Sequence, residues 1–289
     1  MKLGIIDIGS TSVRMMVSDG SEEINDKVID TTKLADGLAV SGALCEDAIK
    51  RTAAAVARFG KEALRLGADR VYAFATEAVR SATNGRSFLE EVDKISDVKT
   101  EVLSREAEAE LGFSGAYDGG CECIVDMGGA STEITVGDGG GIKYGHSLPL
   151  GIVRLRDYAG PLTLGEYIDS RITEYGRIPR FDKLLAIGGT AGTMVSVIRE
   201  AEVYNQREVH GTELTLNQIR ALYKKLEPLD YERKKALKGL CPKRADVITG
   251  GVLMWIKILE YTGADRLTVS ERDNMEGYLA LKLREARSD

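Results

Sequence analysis

The chain opens on an apolar run, residues 2–8 (KLGIIDI), that ends at Asp7. A small polar turn, Gly9-Ser10-Thr11-Ser12, leads into a second run, VRMMVS, so the pattern predicts strand, tight turn, strand. Helical spacing of apolar positions over Glu46–Leu66, with Gly67 beyond them, predicts a long amphipathic helix with a glycine stop. Val71–Ala75 reads as a short buried strand, and Asn84 and Ser104 as caps of helices running to Ile95 and Ala116. Cys123–Asp126 and Thr132–Val136 predict a second strand pair around Met127-Gly128-Gly129-Ala130-Ser131. Then come a strand at Leu184–Ile187, a turn at Gly188-Gly189-Thr190 and a helix over Ala191–Glu200. Helices at Leu216–Leu226 and Asp246–Tyr261, a strand at Leu267–Ser270 and a final helix at Glu276–Ala286 complete the pattern. Strands alternate with helices, which predicts an α/β class.

Two of these segments repeat each other. Asp7–Gly20 (DIGSTSVRMMVSDG) aligns without a gap on Asp126–Gly139 (DMGGASTEITVGDG) at a constant offset of 119, with six identities in fourteen positions. Hairpin turns favour Gly, Asp and Ser in any protein, which is the plain alternative. The better reading is a duplicated fold in which each half presents the same loop. A strand that ends in Asp and turns at once through small residues leaves backbone N–H groups pointing outward. Such a nest binds anions, and glycine lets phosphate oxygens come close. Ser10, Thr11, Ser12, Ser131 and Thr132 add hydroxyl donors. A carboxylate cannot bind phosphate itself, so the task suited to Asp7 and Asp126 is to hold Mg²⁺ or its water shell. Neither loop has the GxxxxGK[ST] spacing of a Walker loop.

Composition narrows the classes. A length of 289 residues suits one large or two ordinary domains, and 43% hydrophobic with 29% charged residues is the mix of a soluble globular protein. Gly 32 against Pro 5 places the glycine excess in turns rather than in disorder. A formal net charge of −6 argues against a general nucleic-acid binder, so an anionic ligand must be held locally. Four cysteines and two histidines, with no CxxC or HExxH spacing, give no zinc signature. Cys45, Cys121, Cys123 and Cys241 read as reduced thiols of a cytoplasmic chain. The N-terminus lacks the apolar core of a signal peptide, and no run reaches the roughly 18 apolar residues of a membrane span.

DIGSTS, DMGGASTE and LLAIGGTAGT resemble the first phosphate, second phosphate and adenosine motifs of the acetate kinase/sugar kinase/heat-shock chaperone/actin superfamily. ATEAVRSATN, LSREAEAELGFSGA, RADVITGG and VSERDNMEG extend the likeness along nearly the whole chain. Within that superfamily they resemble the exopolyphosphatase/guanosine pentaphosphate phosphohydrolase (Ppx/GppA) family. The resemblance implies duplicated ribonuclease H-like (actin-like ATPase) domains around an interdomain cleft, set at 1–117 and 118–289, with the last helix able to pack back on the first domain. It implies a short form that stops where the second-domain pattern closes, working as a homodimer.

The resemblance also implies roles. Asp7, Gly9, Ser10 and Thr11, with Ser12, would line the first phosphate loop. Asp126, Gly128, Gly129, Ala130, Ser131 and Thr132 would form the second, and Gly188, Gly189 and Thr190 a third phosphate contact at a helix start. Mg²⁺ would be held by Asp7, Asp126 and Glu133. Arg80 would reach the transferring phosphate, and Glu108 matches the catalytic glutamate; read alone, Glu106, Glu108 and Glu110 are acids favoured near a helix N-terminus. Ala107 replaces the first of a usual Glu pair, Met275 stands where Arg precedes Glu-Gly, and Thr11 where Asn is common.

The implied activity is exopolyphosphatase: removal of terminal orthophosphate from polyphosphate by Mg²⁺-assisted in-line attack of water. Guanosine pentaphosphate (pppGpp) presents the same tail chemistry and is the close alternative. A small-molecule kinase, an iron–sulfur-bearing ATP-driven activator and a nucleotide sensor are more distant ones. The basic segment Glu232–Arg244 could guide a polyanion, although its plain reading is a solvated surface. Gly250-Gly251 inside a helix signals close backbone packing or ligand approach, and His146 and His210 read as structural or surface residues.

Overall fold

The computed structural model describes residues 1–288 of the chain. They divide into two compact units, Met1–Gly115 together with the segment from Asp273 onward, and Ala116–Arg272.

In the first unit, Leu3–Ile8 (β1) and Val13–Ser18 (β2) form the expected hairpin. Val28–Asp30 (β3), Arg70–Ala75 (β4) and Thr100–Val102 (β5) complete a sheet of order β3-β2-β1-β4-β5. β2 and β3 run antiparallel to their neighbours, whereas β4 and β5 join in parallel. Every residue of the central strand LGIIDI is buried, as a continuous apolar run between two neighbours requires. The helix Glu46–Arg65 buries Ala48, Ile49, Thr52, Ala53, Val56, Phe59 and Ala63, the stripe its spacing predicts. Gly67 follows its end in the left-handed region at φ 90°.

One expectation is corrected here. Asn84 precedes the helix Gly85–Ile95 but makes no side-chain cap. Its amide pairs with the backbone of Leu44 instead, accepting from the N–H at 2.7 Å and donating to the carbonyl at 2.9 Å. The C-terminal helix Asn274–Ser288 packs with the first unit. Met275, Tyr278, Leu279 and Leu283 share one core with Leu3, Ile5, Met16, Phe74 and Leu111. The Phe74 and Tyr278 rings lie 4.8 Å apart, tilted by 51°. Apolar residues at helical spacing near the end of a chain are buried against whichever sheet face is open to them.

The second unit repeats the plan. Glu122–Met127 (β6), Thr132–Asp138 (β7), Gly141–Leu148 (β8), Lys183–Ile187 (β9), Glu213–Thr215 (β10) and Arg266–Val269 (β11) form a sheet of order β10-β11-β9-β6-β7-β8. β9 lies parallel to β6 as β4 lies parallel to β1. The hairpin registers coincide at the offset of 119: Leu3 pairs with Ser18 and Glu122 with Gly137, while Ile8 pairs with Val13 and Met127 with Thr132. The α/β fold is thus a duplicated ribonuclease H-like arrangement, and the internal repeat marks its two central hairpins. Close packing requires the second of the two helix glycines, since a Cβ on Gly251 in Ile248–Thr262 would stand 2.8 Å from Thr190 Cγ2, whereas one on Gly250 would meet nothing nearer than 3.5 Å.

Within the first unit, the helix Arg105–Ala116 and the C-terminal helix touch backbone to backbone. A Cβ on Gly277 would overlap the Leu111 carbonyl and lie 2.9 Å from Ser114 Oγ. Gly277→Ala therefore loses about 1–3 kcal/mol of stability despite its better helix propensity. Gly263→Ala, at φ 72° in open space, loses about 1 kcal/mol for backbone strain alone. Denaturant unfolding of the two variants checks the order.

Candidate active site

Both hairpin turns are built alike. The Gly9 N–H donates to the Ser12 carbonyl at 3.0 Å, and the Gly128 N–H to the Ser131 carbonyl at 2.9 Å. A Cβ on either glycine would press on that same carbonyl, at 3.1 and 3.2 Å. Further loop carbonyls are tied back. In the first unit, Ser10 O accepts from Ala35 N at 2.9 Å and Thr11 O from Lys33 N at 2.8 Å. In the second, Gly128 O accepts from Ile152 N at 3.1 Å, Gly129 O from Val153 N at 2.8 Å and Ala130 O from Gly151 N at 3.2 Å. Arg154 Nε also donates to Ala130 O, at 2.9 Å. In a planar trans peptide the C=O and the next N–H point in opposite directions. Anchoring these carbonyls therefore aims the N–H groups of Thr11, Ser12, Gly129, Ala130 and Ser131 away from the anchoring segments. Buried Thr11 Oγ1 has no hydrogen-bond partner within the protein. Thr132, expected to add a hydroxyl donor to the second loop, is fully buried and donates that hydroxyl to Leu150 O at 2.8 Å.

The strand-end aspartates have different partners. The register sets Asp7 opposite Arg14 and, one repeat later, Asp126 opposite Glu133. Arg14 Nε donates to Asp7 Oδ2 at 2.9 Å, its Nη2 pairs with the same oxygen, and its Nη1 pairs with Asp273. Lys27 Nζ lies 3.2 Å from Asp273 and 2.9 Å from Glu276. Burial pushes the Asp7 carboxyl up, more than Arg14 pulls it down. Burial acts the same way on Asp273, but Arg14 and Lys27 outweigh it and hold that carboxyl at about 2. In the second unit, Glu133 is buried and accepts from Ser147 Oγ at 2.6 Å. Gly188, at φ 98°, has no room for a side chain, since its Cβ would stand 2.7 Å from the Met127 carbonyl and 3.3 Å from Asp126 Oδ1. The turn Gly188-Gly189-Thr190 thus sits beside the second loop.

Ser104 caps the helix Arg105–Ala116 by accepting from the Ala107 N–H at 3.1 Å, and this helix carries Glu108. Arg80 Nη1 donates to Glu108 Oε2 at 2.9 Å and to the Leu103 carbonyl at 2.6 Å, while Nη2 donates to Glu77 Oε2 at 2.7 Å. Buried Arg80 Nε has no partner in the protein. Burial raises the Glu108 carboxyl to about 7 against the pull of Arg80, and the charges of Asp7 and Glu77 add to the rise. The structure thus brings Asp7, Arg80 and Glu108 into one electrostatic neighbourhood of the first unit. Asp126, Glu133 and Gly188 share one of the second.

Much of the basic segment lies at the surface, where Lys235 Nζ is 3.0 Å from Glu232 and Arg233 Nε 3.7 Å from Asp230, whereas Arg244 packs over Gly189. His210 Nδ1 accepts from the Glu271 N–H at 3.2 Å, and the His146 ring meets the edge of Tyr175. All four cysteines are free thiols. Among the described residues no helix is long and apolar enough to cross a membrane. Sequence reasoning missed Arg14, Lys27, Glu77, Ser147 and Asp273. Arg14 could have been found from the repeat, which sets it against Glu133.

The chain matches the Ppx/GppA phosphatase family over residues 16–286. It belongs to that family, and so to the hydrolases acting on phosphoric anhydrides. It is 27% identical to exopolyphosphatase 2 of Mycobacterium tuberculosis, with 98% of each chain covered. It is also 27% identical to a guanosine-5'-triphosphate,3'-diphosphate pyrophosphatase of Vibrio vulnificus, of which it spans 60%. It spans 45% of a bifunctional 3-dehydroquinate synthase/phosphatase of Fusobacterium nucleatum, at 29% identity. A solved Ppx/GppA structure from Aquifex aeolicus superposes with TM-score 0.79 at 30% identity, covering 99% of this chain and 98% of its own. A solved exopolyphosphatase-like protein shares the fold with TM-score 0.90 at 24% identity, covering 99% of this chain and all of its own.

The cluster around Arg14 has a measurable signature. The Asp273 carboxyl lies below its unfolded value near ~3.9, so its ionisation favours the fold. That contribution is fully present above about pH 4 and disappears as pH falls through about 2. Arg14→Met leaves two buried carboxylates without their shared cation and loses about 3–5 kcal/mol at neutral pH. Urea unfolding from pH 2 to 7 checks both the loss and a flattened acid limb in the variant.

Proposed function

We propose that the chain releases terminal orthophosphate from inorganic polyphosphate by in-line attack of water. The observation that carries this reading is the pair of loops whose carbonyls are tied back, so that consecutive amides are left for phosphate oxygens. In this reading Gly9, Ser10, Thr11 and Ser12 hold phosphates in the first unit, and Gly128 to Ser131 with Gly188, Gly189 and Thr190 do so in the second. The unpartnered Thr11 hydroxyl and Arg80 Nε are further donors to the chain. Arg80 suits the transferring group, because a guanidinium can make two parallel bonds to phosphate. Glu108, poised near neutrality, orients the water and accepts its proton.

A divalent cation fits the second unit better than the first. Two carboxylates directly opposed across an antiparallel pair repel, and a cation relieves that repulsion. Asp7 Oδ2 is already taken by Arg14, which leaves at most its other oxygen. Mg²⁺ takes one or two carboxylates and completes its shell from water and phosphate. Bound at Asp126 and Glu133, Mg²⁺ would neutralise charge on the phosphate oxygens.

The name of the Vibrio relative favours pppGpp as the second reading, since its terminal phosphate presents the same bond. A cytoplasmic homodimer remains the expected setting.

Phosphate release from tripolyphosphate with Mg²⁺ tests the roles. Glu108 near 7 predicts activity that rises with pH through neutrality as the carboxylate forms. Glu108→Gln lowers kcat by about 10²–10⁴ and removes that ascending limb. Full activity in the variant contradicts the assignment.

A further inference from the structure

The two glycines of the helix Ile248–Thr262 face different surroundings. Gly251 packs against Thr190 and Ile152. Gly250 faces Leu164 and Leu155, and a Cβ there would make only ordinary contacts, at 3.5 Å to Leu164 Cδ2 and 3.7 Å to Leu155 Cβ. Glycine weakens a helix relative to alanine, so packing leaves Gly250 unexplained. It lines a cavity of about 350 Å³ in the second unit, a volume in the range of small-molecule sites. Leu155, Leu162, Leu164 and Val247 give the cavity aliphatic walls. The segment from Tyr158 to Leu164 is held in place by its own contacts. The Tyr158 ring stacks on Tyr167 with centroids 4.0 Å apart, and its hydroxyl accepts from the Leu162 N–H at 3.3 Å. Thr163 and Glu166 form a capping box at the start of the helix Leu164–Ile172.

An ion pair lies in the same lining. Arg156 Nη1 donates to Asp246 Oδ2 at 3.0 Å, and Arg156 Nε donates to Asp157 Oδ1 at 2.7 Å. The Arg156 and Asp246 side chains remain 21% and 22% exposed. A carboxylate offers about four lone-pair sites and a guanidinium five N–H donors, so one bond between them exhausts neither. A ligand with a single charge is repelled by one member of this pair as it is attracted by the other. A ligand that carries both signs side by side answers both, through charge-assisted bonds. We propose that the cavity is a binding site for an α-amino acid with an aliphatic side chain. Its ammonium meets Asp246, its carboxylate meets Arg156, its side chain lies among the leucines, and its Cα approaches Gly250. None of the lining residues belongs to a phosphate loop, and the proposal does not depend on the hydrolase reading.

Amide NMR shift titrations of the full chain with L-leucine, isopentylamine and isocaproate test it, the last two being leucine without its carboxylate and leucine without its ammonium. Leucine binds at least about tenfold more tightly than either analogue. Gly250→Ala places a methyl group in the cavity lining, weakens leucine binding by about tenfold or more, and does not lower the thermal midpoint. Asp246→Asn weakens leucine and isopentylamine without weakening isocaproate; should that variant not fold, Gly250→Ala decides alone. Absence of leucine binding, equal or tighter binding of either analogue, or leucine affinity unchanged in Gly250→Ala or in folded Asp246→Asn overturns the proposal. Phosphate release plays no part in the readout, so failure here and failure of the hydrolase reading are separate results.

Discussion

A carboxylate at the end of a buried strand must have its charge answered, and the two halves of this chain set opposite charges across the strand from it. The same hairpin, in the same register, sets Asp7 against Arg14 and Asp126 against Glu133. In the first unit the answer is internal, a guanidinium shared by Asp7 and Asp273 and backed by buried Lys27. In the second the facing residue is another acid, the arrangement on which the proposed cation site rests. Duplication supplied the geometry, and one position, seven residues after the aspartate, made the copies different.

The loops between these strands follow from the same economy of backbone groups. Every buried carbonyl needs a donor, and the segments around Lys33–Ala35 and Gly151–Val153 supply them. Satisfying the carbonyls on one side leaves the amides on the other, an arrangement that favours anions before any side chain contributes. Glu108 lies outside this scheme. Its helix buries it against Arg80, and burial outweighs that cation enough to keep the carboxyl near neutrality, where a proton acceptor is useful.

Much of this was legible in the sequence. The central strands stood out because they are buried, apolar and repeated, and Ser104 and Gly67 mark helix ends by ordinary cap chemistry. The edges were not legible. β3, β5 and β10 are three residues long, and β8 buries only its last residue, so no apolar alternation announces them. The return of the last helix to the first unit was visible only as an option, because helical spacing shows that a face is buried and not against what. Long-range partners were hidden for the same reason: Arg14 and Asp273 are 259 residues apart. Lys27 sits in a polar stretch that gives no hint that its side chain is only 2% exposed.

The contrast between the two hairpins is tested most directly by Mn²⁺ binding, followed by electron paramagnetic resonance on Asp7→Asn and Asp126→Asn. The account predicts that Asp126→Asn weakens Mn²⁺ binding by at least about tenfold, whereas Asp7→Asn leaves it within about threefold. Equal losses in the two variants, or a greater loss in Asp7→Asn, would contradict it.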